Sequence, residues 1–228
     1  MQGSDRELAL LRHRYKTPKG ELAPSVTQIT GMLDIDSKSG RMAGAAAKIA
    51  LAGGNYRAEW KEKADRGTRI HNHCEHWLRG EPVDALPDEL AYLDGLKLFF
   101  EEKDPEPLAV EQVVLSDLGY GGRFDAILLF EGKQTLVDVK TGRPYALEHC
   151  LQLSAYRFAD GMAVYNESGA LERLDALPLI ERSGCLYLSE GEYRFVEYPA
   201  DELAFTIFQG LLDVHYSIGL LKEQLPDA

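Results

Sequence analysis

Residues 121–142 read GGRFDAILLFEGKQTLVDVKTG, and this stretch decides the fold. Residues 123–131 and 135–141 are rich in β-branched and aromatic side chains, and Glu131-Gly132-Lys133-Gln134 joins them as a turn. Side chains alternate along a strand, so Leu136, Asp138 and Lys140 share one face while Val137 and Val139 take the other. Asp125 stands near the middle of the preceding strand, and pairing through the turn can bring it beside Asp138. Two carboxylates and an ammonium in a largely apolar sheet are costly unless a metal and a substrate charge offset them. Carboxylate oxygens suit Mg²⁺, and Mn²⁺ accepts such sites with some nitrogen ligation. A lysine two residues after an acidic ligand can hold the water that attacks phosphorus or help deprotonate it. Taken alone, Asp138-x-Lys140 reads as an ordinary strand salt bridge.

Working outward, residues 110–116 supply a third strand of a meander, joined to the next through Gly119-Tyr120-Gly121-Gly122. Glu111 opens this strand and adds a carboxylate at the same end of the sheet, or a solvated edge charge. A helix is expected over 145–162. On it, Gln152 and Tyr156 lie four residues apart and share a face that could orient Lys140 or meet phosphates. Strands near 184–189 and 193–198 and a final helix over 201–224 follow. On the N-terminal side, residues 1–24 read as a short helix and an irregular arm. Ser25 caps a short helix or turn, and helices cover 41–53, 56–79 and 88–103, the last stopped by Asp104-Pro105. The order is that of an α/β protein with a central mixed β-sheet flanked by helices and an N-terminal helical addition. The expected division is an arm at 1–24 and one domain at 25–228. That domain has a helical part to about 105, a sheet core at 106–200 and a C-terminal helix at 201–224.

The helix at 56–79 carries His71, whose neutral imidazole could complete a metal shell. His73, Cys74 and His76 suggest zinc, but His71, Cys74 and Glu75 fall on one side of the helix and His73 and His76 on another. With no second ligand pair at zinc-finger spacing, His73 and His76 read as surface histidines. Three widely spaced cysteines among 228 residues exclude a disulfide framework and a four-cysteine iron–sulfur cluster. They suit a reducing cytoplasm. No run approaches the ~18 apolar residues of a membrane span. The formal net charge is −12, yet residues 1–79 hold 14 Lys+Arg against 9 Asp+Glu. A basic N-terminal third can therefore present a positive face to a phosphate backbone.

The ordered set Gly67-Thr68-x-x-His71, Glu111, Gly122-x-x-Asp125, Asp138-Val139-Lys140-Thr141-Gly142 and Gln152-x-x-x-Tyr156 resembles the PD-(D/E)XK nuclease superfamily. Within it the likeness is to the RecB-type branch that includes phage exonucleases and CRISPR adaptation nucleases. Pro24-Ser25-Val26-Thr27-Gln28-Ile29 looks like the lead-in of phage-type members, so the resemblance covers roughly 24–160. It implies a restriction-endonuclease-like core. It also implies one or two Mg²⁺ or Mn²⁺ ions held by His71, Asp125, Asp138 and the Val139 carbonyl, with Lys140 catalytic. Glu111 would assist at the metal or the water, and Gln152 and Tyr156 would support the site or the DNA. Phe124 replaces the motif's proline, and the four cysteines of many CRISPR-associated relatives are absent, so no iron–sulfur cluster is implied.

The expectation is a stand-alone, metal-dependent DNA nuclease, an exonuclease by resemblance, acting on DNA ends, with an oligomer open and no membrane partner. Two other readings remain: a nuclease-like module that binds nucleic acid or a protein without cutting, and a metal-dependent hydrolase of another ester.

Overall fold

The computed structural model describes residues 15–17, 20–32 and 38–225. Two short strands, β1 (Tyr15–Lys16) and β2 (Leu22–Ala23), pair antiparallel. The arm expected to be irregular is thus a hairpin where it is described, and the helix expected before it lies outside the described residues. Ser25 caps α1 (Val26–Thr30): its hydroxyl accepts from the Gln28 N–H, and the Gln28 side chain accepts from the Ser25 N–H at 2.8 Å. Three helices follow, α2 (Lys38–Leu51), α3 (Tyr56–Leu78) and α4 (Pro87–Lys103). Asn55 caps α3 through its side-chain oxygen, and α4 begins on a proline and ends at Asp104 in the left-handed region, just before Pro105.

Strands β3 (Glu106–Ser116), β4 (Tyr120–Phe130) and β5 (Lys133–Lys140) form the expected antiparallel meander. Glu131 and Gly132 both take positive φ, 53° and 73°. That is the backbone a two-residue hairpin needs to match strand twist. The strands are longer than their sequence pattern, because Tyr120, Gly121 and Gly122 belong to β4 and not to the connection. A side chain at Gly122 would place a Cβ 2.4 Å from the Tyr156 ring, so glycine lets the helix after β5 approach the strand.

That helix, α5 (Ala146–Arg157), stops five residues short of the expected run. Two strands absent from the sequence reading come next, β6 (Gly161–Tyr165) and β7 (Leu171–Asp175), and β6 adds to the outer side of β3. β8 (Arg182–Ser189) returns parallel to β5, and β9 (Glu192–Glu197) closes the edge. The sheet order is β7-β6-β3-β4-β5-β8-β9, a seven-stranded mixed sheet. On one face α1, α5 and α6 (Glu202–Gln224) bury Ile29, Leu151 and Phe208 against Phe124, Ile127 and Leu136. On the other, α3 and α4 bury Ile70, Leu96 and Phe99 against Ala126, Leu128, Val137 and Leu186. The architecture is the α/β class expected, a central mixed sheet flanked by helices as in a restriction-endonuclease-like core. Among the described residues, α6 alone is long and apolar enough by composition to cross a membrane. Its Ala204, Phe208, Leu211 and Leu212 are buried against the sheet, while residues 213–224 bury no side chain.

One polar cluster ties α3 to α4. Glu89, 1% exposed, pairs with Arg69, accepts from the Leu86 N–H and sits 2.9 Å from His73 Nε2. His73 is therefore a clasp between helices and not the surface histidine expected, whereas His76 is half exposed beside Glu81. Burial alone would raise the Glu89 pKa. The Arg69 guanidinium, the Leu86 N–H and His73 outweigh it and lower the value from 4.5 to about 2. A depressed carboxylate stabilises fully above its unfolded pKa and loses that contribution as pH falls through the folded one. Glu89→Ala is expected to cost about 2–3 kcal/mol at pH 7, at the low end for a broken buried pair because Arg69 is part-exposed. In urea titrations the gap between wild type and variant should shrink as pH falls from about 4.5 toward 2; a gap constant with pH would contradict the assignment.

Candidate metal centre

The site forms where the alternation of β4 slips. Phe124 and Ile127 pack on the α5 side of the sheet, while Ala126 and Leu128 pack on the α3 side. Strict alternation would put Phe124 and Ala126 together, so the slip falls at Asp125. Opposite it in register on β3 stands Glu111, a non-glycine residue at φ 50°. Such strain persists only where the surroundings hold it, and it gathers at functional sites. Here it brings two carboxylates together.

Asp125 Oδ2 accepts from the Val139 N–H at 2.6 Å and lies 3.4 Å from His71 Nδ1. His71 reaches it from α3, whose Gly67, one turn earlier, lies against Thr141 at the end of β5. Glu111, with a side chain only 7% exposed, has Oε2 2.7 Å from Arg123 Nε. That contact is not in hydrogen-bond alignment, so Oε2 remains a buried acceptor without a hydrogen bond. His71, Glu111 and Asp125 each offer a ligand atom within 4.8 Å of the other two. The alternative of a solvated edge charge at Glu111 is excluded by its burial.

Asp138 heads a second, adjoining group. Its Oδ2 is 2.5 Å from Lys140 Nζ, and its Oδ1 accepts from Gln152 Nε2 at 3.1 Å. Gln152 Nε2 also lies 3.0 Å from the Tyr156 hydroxyl, and the Cys185 thiol is 3.8 Å from Asp138 Oδ2. The Ala126–Val137 pairing ends the β4–β5 ladder one step before Asp125 and Asp138, so the two are register neighbours. They turn to different partners: Asp125 to His71 and Asp138 to α5. Asp138 does not join the three residues that stand within ligand distance, whereas Glu111, expected to assist at the metal or the water, does. Val139 is tied to Asp125 through its N–H. Gln152 and Tyr156 brace Asp138 rather than face outward. Arg123 and Cys185 were not singled out by the sequence. An arginine two residues before Asp125 alternates onto a predictable face, but nothing foretells its pairing with Glu111.

Charge decides the protonation states. Burial opposes an imidazolium at His71, but Asp125 beside it and Asp138 beyond outweigh this and raise its pKa. Burial likewise opposes ionisation of Asp125, and His71 and Lys140 overcome it, lowering the value. At Glu111 burial prevails, reinforced by the Asp125 charge, and the pKa rises to about 8. For Lys140 the ammonium loses solvation, but Asp138 and Asp125 hold it charged, with a raised pKa.

Two carboxylates and an imidazole, one oxygen without a hydrogen bond, are a donor set that fits a divalent ion, and the nitrogen favours Mn²⁺ over Mg²⁺. No protein-family model and no curated protein matches this chain. One solved structure, described as "Crystal structure of SSO0001", is similar over 94% of this chain and 82% of its own length. At 15% identity and a TM-score of 0.41, that likeness carries nothing about activity.

Metal ligands must be deprotonated, so an ion entering this group displaces protons that Glu111 and His71 hold. Mn²⁺ titrated calorimetrically at pH 7 in buffers of different ionisation enthalpy should bind with net proton release. His71→Ala and Asp125→Ala should each weaken binding at least about tenfold. Unchanged Mn²⁺ affinity in both variants would rule the group out as the ligand set.

Proposed function

We propose that the chain is a metal-dependent DNA nuclease of the PD-(D/E)XK, RecB-like kind, an exonuclease that hydrolyses phosphodiester bonds. The observation that carries the reading is the adjacency of two groups. One is a half-buried His71–Glu111–Asp125 donor set; the other is a Lys140 ammonium, braced by Asp138, at the open end of β5. Ester hydrolysis at phosphorus needs both a cation site and a fixed positive donor, because charge builds on the non-bridging oxygens.

A divalent ion held by His71, Glu111 and Asp125 would polarise the phosphoryl oxygen and make the attacking water more acidic. The remaining work falls to the chain's own side chains. Lys140, 24% exposed and held as an ammonium, can donate to a phosphate oxygen or to the incoming water. Its raised pKa suits it to serve as donor and counter-charge. Asp138, gripped by Lys140 and Gln152, fixes the direction of that ammonium. Tyr156 fixes Gln152 in turn. Arg123 holds Glu111 close to Asp125, where two carboxylates would otherwise repel.

End-labelled and circular DNA incubated with Mg²⁺ or Mn²⁺ tests this directly. Wild type should cut in either metal and stop in excess EDTA, and the labelled ends should be released before internal fragments form. Asp125→Ala, Asp138→Ala and Lys140→Ala should each lower the rate by at least about a thousandfold while circular dichroism stays native. Mn²⁺ binding with no cleavage by wild type would point instead to a non-cutting module, and full activity in any of the three variants would overturn the mechanism.

A further inference from the structure

Helix α2 is unusual in this molecule: from Ser39 to Leu51 none of its side chains is buried. It is alanine-rich and stands off the sheet, held beside α3. Between α2, α3 and the β5–α5 connection lies a groove of about 1110 Å³. Its lining includes Arg41 and Lys48 from α2, Trp60 and Lys63 from α3, and Arg143 and Tyr145 from the connection, and among the described residues no carboxylate. Among the described residues none of these four cations has a carboxylate ion-pair partner. Cations on adjoining faces are paired, as in Lys61 with Asp65 at 2.5 Å and Arg66 with Asp88 at 4.0 Å. Four cations without a carboxylate partner among the described residues, gathered on one concave surface, give that surface a local positive potential although the protein's net charge is −12.

Aromatic rings are set among them. The Arg41 guanidinium lies 5.4 Å from the centre of the Tyr145 ring, and Trp60 is half-buried edge-on to Tyr56. Cations that follow a backbone together with rings on which bases stack are the chemistry of single-strand binding, since a paired base offers no free face. The groove also leads to the candidate centre. Trp60, Ala64, Gly67 and His71 recur at spacings of four, three and four along one face of α3, which puts Trp60 about 16 Å up the helix from His71. Thr141, against which Gly67 packs, directly follows Lys140.

Resting on the nuclease reading, we infer that an unpaired DNA strand lies between α2 and α3. Its bases stack on Trp60 and Tyr145, its phosphates meet Arg41, Lys48, Lys63 and Arg143, and one phosphodiester is delivered to Lys140. The single-stranded stretch is thus the form of substrate the site receives.

The test is binding without cleavage, in EDTA, with fifteen-nucleotide oligo(dT) and a blunt duplex of equal length as probes. Trp77 packs against Phe100 at 4.4 Å, so a Trp77→Phe background leaves Trp60 as the sole tryptophan. Oligo(dT) should quench its fluorescence, with a salt slope near −3 for about four neutralised phosphates. In the parent protein Trp60→Ala should weaken binding about 10- to 100-fold. Trp60→Phe should retain part of the affinity, and Lys63→Glu and Arg143→Glu should each lower both affinity and slope. The duplex should bind at least about tenfold more weakly. Absence of quenching, wild-type affinity in folded Trp60→Ala and Arg143→Glu, or equal affinity for the duplex would overturn the groove assignment. The two readings fail separately: a protein that quenches on oligo(dT) but never cuts loses the chemistry alone. One that cuts yet binds DNA equally well without Trp60 loses the groove alone.

Discussion

Everything local to the centre follows from three carboxylates buried on neighbouring strands of one sheet. Glu111, Asp125 and Asp138 cannot all remain charged in so dry a place without cations beside them. The fold meets this with Arg123 on Glu111, His71 on Asp125 and Lys140 on Asp138. The compensation is incomplete at Glu111, whose pKa is pushed up to about 8 and whose Oε2 lacks a hydrogen bond. A purely structural network would have no reason to keep that deficit. A centre that receives a dication would.

The scaffold explains how chain segments so far apart meet. β3, β4 and β5 are contiguous hairpins, so Glu111, Asp125 and Asp138 arrive by local pairing. His71 comes from the other direction, on a helix whose Gly67 allows close approach to Thr141 and whose opposite face, at Arg69 and His73, is clasped to α4 by Glu89. α5 closes the other side and lays Gln152 and Tyr156 over Asp138. The strained backbone at Glu111, with the slip at Asp125, turns one carboxylate toward α3 while its register neighbour faces α5. One sheet thereby presents two functional groups side by side.

Much of this was legible in the residues. The strands read over 123–131 and 135–141, the Glu131-Gly132 turn and the Ser25 cap are local signals, and each formed. So did the pairing that makes Asp125 and Asp138 neighbours. What the residues did not disclose is mostly non-local. β6 and β7 are only five residues each, and they form by pairing onto the outer edge that β3 leaves open. His73 looked like a surface residue because its partner, Glu89, belongs to another helix. Strict alternation foresaw Asp125 and Asp138 as one ligand pair. The slip at Asp125 and the positive φ at Glu111 bring Glu111 into ligand distance in place of Asp138, and no propensity scale forecasts a strained glutamate.

The central claim is that His71, Glu111 and Asp125 form a cation site beside an ammonium. Anomalous diffraction at the manganese edge, from crystals grown with Mn²⁺, addresses it most directly. The account requires a peak bonded to side-chain atoms of those three residues, with Lys140 Nζ nearby but outside the coordination shell. A map with manganese bound elsewhere on the protein and that trio bare would contradict it.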